Sequence, residues 1–261
     1  MRPLQFLLLT GLLLIALHAG ATDVLKERRW AEQLRDGLLS GEALELSADG
    51  RPFLAIDTPA SGEPVRGAVI LLHGMGAHPD WPEVIHPLRL ELPERGWRTL
   101  AIQLPVLSND AARDAYAALY PDAFARIRAA IDYLRKREID DIVIVGHSLG
   151  AAMGAAFLAG QEGDNGPVRA FVGIGMPADS EASLARITLP VLDLYGAQDL
   201  DGVRASAPLR RQAAHKAGNT HYRQAEIPGA DHFFTGLDAT LVSRVDAWLR
   251  RQVTTKETAA P

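Results

Sequence analysis

Cysteine is absent from all 261 positions. That removes thiolate zinc sites, iron–sulfur ligation, disulfides, redox pairs, a cysteine nucleophile and a lipid-modified N-terminal cysteine. An excess of positive charge is absent too: 27 Lys and Arg stand against 32 Asp and Glu, a formal charge of −5. Nucleic-acid affinity comes mostly from clustered Lys and Arg releasing counterions, and no such cluster appears, so no nucleic-acid partner is expected. Long apolar runs are confined to the beginning of the chain. Arg2 is followed by Leu4 to Leu17, apolar apart from Gln5, Thr10 and Gly11, and then by Ala19-Gly20-Ala21. A positive end, a short apolar run and a small-x-small site form the pattern of a secretory signal peptide. The alternative, an uncleaved anchor, is disfavoured because a bilayer span takes about 20 apolar residues. The expected mature chain starts near Thr22, carries no membrane span, and is exported, periplasmic or secreted.

What is present describes an ordinary globular chain, 48% apolar and 23% charged. At this length about 70–75% of the unfolded surface is buried on folding, so the core needs neither disulfide nor metal. No internal repeat or long linker interrupts it. One domain is expected over 22–253, followed by a polar tail over 254–261.

The stretch Val24 to Leu39 is amphipathic. Ala43 to Ala48 and Pro52 to Asp57 flank Asp49-Gly50, a dipeptide suited to a tight turn, and read as a hairpin of antiparallel edge strands. Short β-branched runs then recur between helical stretches: Ala68 to Leu72, Thr99 to Leu104, Asp141 to Gly146, Val168 to Ile174, Val191 to Tyr195 and Tyr222 to Ile227. Unbroken apolar runs such as Ile142-Val143-Ile144-Val145 are what strands look like when helices cover both faces. Ala123 to Arg137 and Leu241 to Val253 carry apolar residues at helical spacing. The expected class is α/β, a mostly parallel doubly wound sheet with an antiparallel N-terminal hairpin.

The run into Gly146-His147-Ser148-Leu149-Gly150 ends a strand and opens an alanine-rich helix, Ala151 to Ala159. This is G-x-S-x-G in its strand–turn–helix setting, where glycines permit a strained turn that lifts the serine hydroxyl above the sheet. A hydroxyl needs a base, and the base needs an orienting carboxylate. Asp199 and His232 each follow a strand at its carboxyl end, where an open α/β sheet forms its crevice. Asp201 and Asp231 stay open as alternative acids. Asp193, inside a strand, reads as a buried hydrogen-bond acceptor. His78, His86, His215 and His221 show no ligand spacing, so no metal is expected, and Gly173-x-Gly175 lacks the third glycine and acidic partner of a nicotinamide site.

Between about Arg51 and Arg251 the chain resembles the α/β-hydrolase superfamily. Gly146 to Gly150 matches its nucleophile elbow, Gly196-x-x-Asp199 its acid turn, Gly229-x-Asp231-His232 its histidine loop, and Leu72-His73-Gly74-Met75-Gly76 its oxyanion loop. More narrowly, Leu72 to Trp81 with Gly96-Trp97 and Leu100 to Pro105 resembles a group of exported bacterial α/β-hydrolase-like proteins of unassigned function. The resemblance implies Ser148 as nucleophile, His232 as general base, Asp199 as the acid and the backbone N–H groups of Met75 and Leu149 as oxyanion donors. His73, Gly74, Gly76, His147 and Phe233 are expected around the substrate. His73 and His147 are expected chiefly to brace loops.

Only Met176 to Pro190 separates two strands where many such hydrolases carry a lid, so no lid domain is expected. Val106 to Pro121, with Leu107, Tyr116, Leu119 and Tyr120, is the candidate partial cover. The expected function is a secreted serine hydrolase cleaving small-molecule carboxylic esters, without a cofactor. The alternatives are an amidase or peptidase using the same residues, or a non-catalytic binding or envelope-assembly protein on the same fold.

Overall fold

A computed structural model describes residues 22–161 and 165–253. The expected leader, 1–21, and tail, 254–261, lie outside the described residues. The elements run α1 (Val24–Gly37), β1 (Glu42–Ala48), β2 (Arg51–Thr58), β3 (Gly67–Leu72), α2 (Ile85–Glu91), β4 (Trp97–Ile102), α3 (Tyr120–Arg135), β5 (Ile142–His147), α4 (Leu149–Ala159), β6 (Val168–Ile174), α5 (Glu181–Leu184), β7 (Val191–Gln198), α6 (Asp201–Lys216), β8 (Tyr222–Asp231) and α7 (Asp238–Gln252).

The eight strands form one sheet in the order β1-β2-β4-β3-β5-β6-β7-β8. The hairpin turns through Asp49 at φ 49° and Gly50 at φ 75°, with Ala48 facing Arg51. Positive φ at both central residues matches the right-handed twist of the flanking strands, which is why Asp-Gly suits the position. Of the two hairpin strands, only β1 is an edge. β2 also pairs antiparallel with β4, and its apolar run Phe53 to Ile56 is buried. All remaining pairings are parallel.

Side-chain alternation divides the core between the two faces. Ile70, Leu72 and Ile144 pack with Ile127 of α3 and with Met153 and Phe157 of α4. Val69, Leu71, Val143 and Val145 pack with Leu88 of α2 and with Val245 and Trp248 of α7. Both faces are therefore covered, as the unbroken apolar runs required. Trimming Ile144 to Ala would cost about 2–5 kcal/mol through lost contacts and a residual cavity.

From β3 the chain steps to β4 on one side and then crosses to β5 on the other. That reversal opens a crevice at the carboxyl ends of β3 and β5. Between β6 and β7 stand only a 3₁₀ turn (Ala178–Ser180) and the four-residue α5, so no lid is inserted there. The 106–121 segment is not a free flap: Tyr116 and Leu119 are in the core, and Leu107 and Tyr120 pack against it. Helix α1 is tied to the body by a buried Glu27–Arg126 ion pair at 3.1 Å. Arg126 also donates to the Gln103 carbonyl at 2.9 Å. Among the described residues no helix is long and apolar enough to cross a membrane.

Candidate active site

Ser148 stands between β5 and α4 with φ 51° and ψ −117°. A non-glycine residue at positive φ is strained and persists only when its surroundings hold it. Here Gly150 lets the chain pass close to the end of β3, and Gly146 lets the turn close on the start of α4. A Cβ on Gly150 would fall 2.4 Å from the carbonyl oxygens of Leu72 and His73, and one on Gly146 would meet the Ala151 backbone at 2.7 Å. The Ser148 N–H donates to the Ile174 carbonyl at 2.8 Å, fixing the turn against β6. The hydroxyl thus sits at the N-terminus of α4, where the helix dipole favours developing negative charge.

His232 follows β8, and its Nε2 lies 3.0 Å from Ser148 Oγ. Its Nδ1 lies 2.6 Å from Asp199 Oδ1. A carboxylate can only accept, so Nδ1 carries the proton and Nε2 is left to accept from the serine hydroxyl. Asp199 is itself held: Oδ1 accepts from the Leu200 N–H at 2.8 Å and Oδ2 from the Gly196 N–H at 3.3 Å. The structure therefore brings Ser148, His232 and Asp199 together from three strand ends. It does not bring the competing acids there. The Asp201 side chain is fully exposed on the first turn of α6. Asp231 accepts from the Phe233 and Thr235 N–H groups, each at 3.0 Å. Those contacts hold its carboxyl below the usual range.

Gly74 to Ala77 form a tight turn closed by the Ala77 N–H donating to the Gly74 carbonyl at 3.3 Å, with Gly76 at φ 69°. Met75, at the turn's second position, is half exposed. Gly74 abuts the elbow: a Cβ there would lie 3.2 Å from His147 Nδ1 and 3.6 Å from Ser148 Cβ. Leu149 begins α4. Among the described residues, neither the Met75 nor the Leu149 N–H has a protein acceptor.

His73 lies beneath this turn with both ring nitrogens engaged. Nε2 accepts from the Leu104 N–H at 2.9 Å, so Nδ1 carries the proton and donates to the Gly74 carbonyl at 2.8 Å. Gln103 Nε2 lies 2.9 Å from His73 Nε2. Burial pushes the His73 imidazole down to about 3, which keeps it neutral. His147 is likewise buried, its Nε2 2.9 Å from the His232 backbone carbonyl. Burial, with the neighbouring His232 second, pushes it down to about 4. Phe233 is 43% exposed and stands edge-on to His232, ring centres 5.2 Å apart.

Two features were not visible in the chain alone. The hydrogen bond from His147 reaches across 85 positions. Gly175 lies beside His232 rather than in a nucleotide loop, with φ 58° and no room for a side chain. The Gly173-x-Gly175 pair was the available signal for it. Asp193 is the buried acceptor its strand position suggested, receiving Arg210, Tyr222 and Gln224. Among the described residues no group of three or more His, Cys, Asp or Glu could hold a metal ion.

Set beside known proteins, the chain matches a family described as "Protein of unknown function (DUF3530)" over residues 23–123 and 110–251. It is 30% identical over 189 residues to the putative protein-lysine deacylase ABHD14B of Rattus norvegicus, covering 69% of this chain and 85% of that one. Among solved structures it is similar to the Pyrococcus furiosus esterase Pf2001, with TM-score 0.67 and 14% identity over 84% of this chain and 93% of the other. It is also similar to an α/β serine hydrolase without lid from Xanthomonas campestris, with TM-score 0.62 and 17% identity over 85% and 98%.

Proposed function

The chain belongs to the DUF3530 family and has the α/β-hydrolase fold, and from that footing we propose that it is a serine hydrolase cleaving small carboxylic esters through an acyl-enzyme. The observation that carries this is the relay Ser148 Oγ to His232 Nε2 at 3.0 Å and His232 Nδ1 to Asp199 Oδ1 at 2.6 Å. Oγ attacks the ester carbonyl while Nε2 takes its proton. Asp199 holds the imidazole in the tautomer that makes this possible and stabilises the imidazolium. The N–H groups of Met75 and Leu149 receive the oxyanion, and a donor of this kind is worth roughly 3–4 kcal/mol of barrier. His232 then protonates the leaving alcohol.

The lack of a lid and the half-exposed Met75 and Phe233 favour small or flexible acyl groups reaching an open crevice. The leader-like sequence of 1–21 supports a reaction outside the cytoplasm, and on that reading thioesters of coenzyme A are poor candidates. A second reading, release of an acyl group from an amine, is favoured by the name of the Rattus norvegicus relative. The same three residues serve it with a poorer leaving group.

The test uses the mature protein with p-nitrophenyl acetate and butyrate and with a fluorophosphonate probe. Turnover and labelling of the wild type are expected. Ser148→Ala should lower kcat by on the order of 10⁶ and abolish labelling, with the fold intact by circular dichroism. A silent wild type would favour a binding protein on this fold, and labelling that survives the substitution would displace Ser148 from the role.

A further inference from the structure

His147 touches the general base from a direction the relay does not use. The residue is 3% exposed, and its ring lies 4.9 Å from the His232 ring, tilted 42°. The Nε2–H donates to the main-chain carbonyl of residue 232 at 2.9 Å, since a carbonyl can only accept. Residues 147 and 148 are adjacent, so the elbow grips residue 232 twice, once by the serine hydroxyl on the ring and once by the His147 N–H on the backbone. Asp199 holds the ring but not that backbone. Further links at this place do not reach the elbow: Asp231 pairs with Gln198 of β7, its carbonyl accepts from the Phe234 N–H at 3.3 Å, and its carboxylate accepts from residues 233 and 235 within the loop itself.

The two grips differ once the acyl-enzyme forms. Ser148 Oγ has then lost its proton to His232 and carries the acyl group, so it no longer donates to Nε2. Of the elbow's two hydrogen bonds to residue 232, only that of His147 is unchanged by acylation. We propose that His147 is a positioning residue for the second half of the reaction, holding the loop of His232 in register with the elbow while water replaces the alcohol. This rests on the acyl-enzyme reading above. In that step His232 Nε2 removes a proton from water as the water oxygen bonds to the acyl carbon. The bond from that carbon to Oγ then breaks, Oγ recovers the proton, and the carboxylic acid leaves.

Stopped-flow release of p-nitrophenolate from p-nitrophenyl acetate separates the two halves: the initial phase reports acylation and the steady state deacylation. His147→Asn is too short to reach the carbonyl, His147→Gln places an N–H near the position of Nε2, and His147→Phe keeps the ring without the donor. In the Asn and Phe variants deacylation should slow by on the order of tenfold or more, while acylation stays within about threefold, so that a burst grows in. His147→Gln should recover most of the steady-state rate. Equal slowing of both phases, no slowing of either, or failure of Gln to recover deacylation while Asn and Gln unfold alike would overturn the proposal. Absence of turnover in the wild type would instead remove the acyl-enzyme itself, which Ser148 labelling reports separately.

Discussion

Gly175 leaves no space between its backbone and the imidazole of His232: a Cβ built on it would lie 2.9 Å from Cε1 and 3.0 Å from Nδ1 of that ring. It would also lie 3.4 Å from Asp199 Oδ2. The glycine is held in place by its N–H, which donates to the Leu194 carbonyl at 2.8 Å, so the ring must move instead. Gly175→Ala should lower kcat by about 10²-fold, the scale of a misplacement of about 1 Å. It should lower stability by only about 1–2 kcal/mol, because φ is left-handed at this position. Steady-state kinetics beside urea unfolding checks both; an unchanged kcat would show that His232 has room to shift.

Asp199 and Asp201 are two positions apart yet face opposite surroundings, one under His232 and the other in solvent. Asp199→Asn should keep the geometry while favouring the wrong imidazole tautomer, lowering kcat by about 10⁴-fold. Asp201→Asn should leave kcat within about twofold, as expected of a surface substitution. The comparison is kinetic and needs both variants folded to the same thermal midpoint. A large loss on Asp201→Asn alone would reassign the acid.

His73 and His147 are buried neutral and make stability depend on pH. Burial lowers them to about 3 and about 4, whereas in the unfolded chain an imidazole titrates near 6.5. Between those limits the unfolded state binds more protons than the folded one. The contribution is therefore complete above about pH 6.5 and is lost as pH falls towards about 4 for His147 and about 3 for His73, with a slope near 1.4 kcal/mol per pH unit for each histidine. Urea midpoints measured from pH 7 to pH 4.5 should fall accordingly, and His73→Gln should remove about one proton from the slope. A flat profile would mean that both rings open to water at little cost, and half the expected slope that one of them does.

Much of this architecture could be read from local pattern, and the failures have local causes. The runs at Val69 to Leu72 and Ile142 to Val145 announced central strands because burial on both faces leaves no polar alternation. The elbow was legible because Gly146, Ser148 and Gly150 are adjacent and their backbone demands are local. The acid was named as Asp199 from its Gly196-x-x-Asp199 turn, and the structure sets it against His232, but Asp201 and Asp231 stayed open because all three sit in strand-end loops and only tertiary packing chooses among them. Helix α2 was expected only as one of the unbounded helical stretches between strands: it is short, contains Pro87, and starts after Val84 at φ 65°. Helix α6 likewise carries Pro208 in its interior. β2 was placed at an edge because its partner β4 lies more than forty positions further on. The apolar residues of 106–121 suggested a cover for the crevice, but Tyr116 and Leu119 are drawn into the core beneath β4 and α3.

Asp193 and Arg210 form a bidentate pair with both side chains fully buried, at 2.8 and 3.2 Å. Tyr222 and Gln224 of β8 complete the carboxylate, at 2.6 and 2.8 Å, and burial together with Asp193 raises the Tyr222 phenol. Arg210 also donates to the Met176 carbonyl at 2.9 Å, the residue after Gly175, so one guanidinium links α6, β7 and the turn beside His232. Arg210→Met would strand a buried carboxylate and should cost about 3–5 kcal/mol. Adding Asp193→Leu removes that charge and should return most of the stability, since a buried pair is often replaceable by apolar packing. The double variant still lacks the tie to Met176. Its kcat should therefore stay below wild type after its urea midpoint has recovered, whereas parallel recovery of both would show that the turn keeps its place without Arg210.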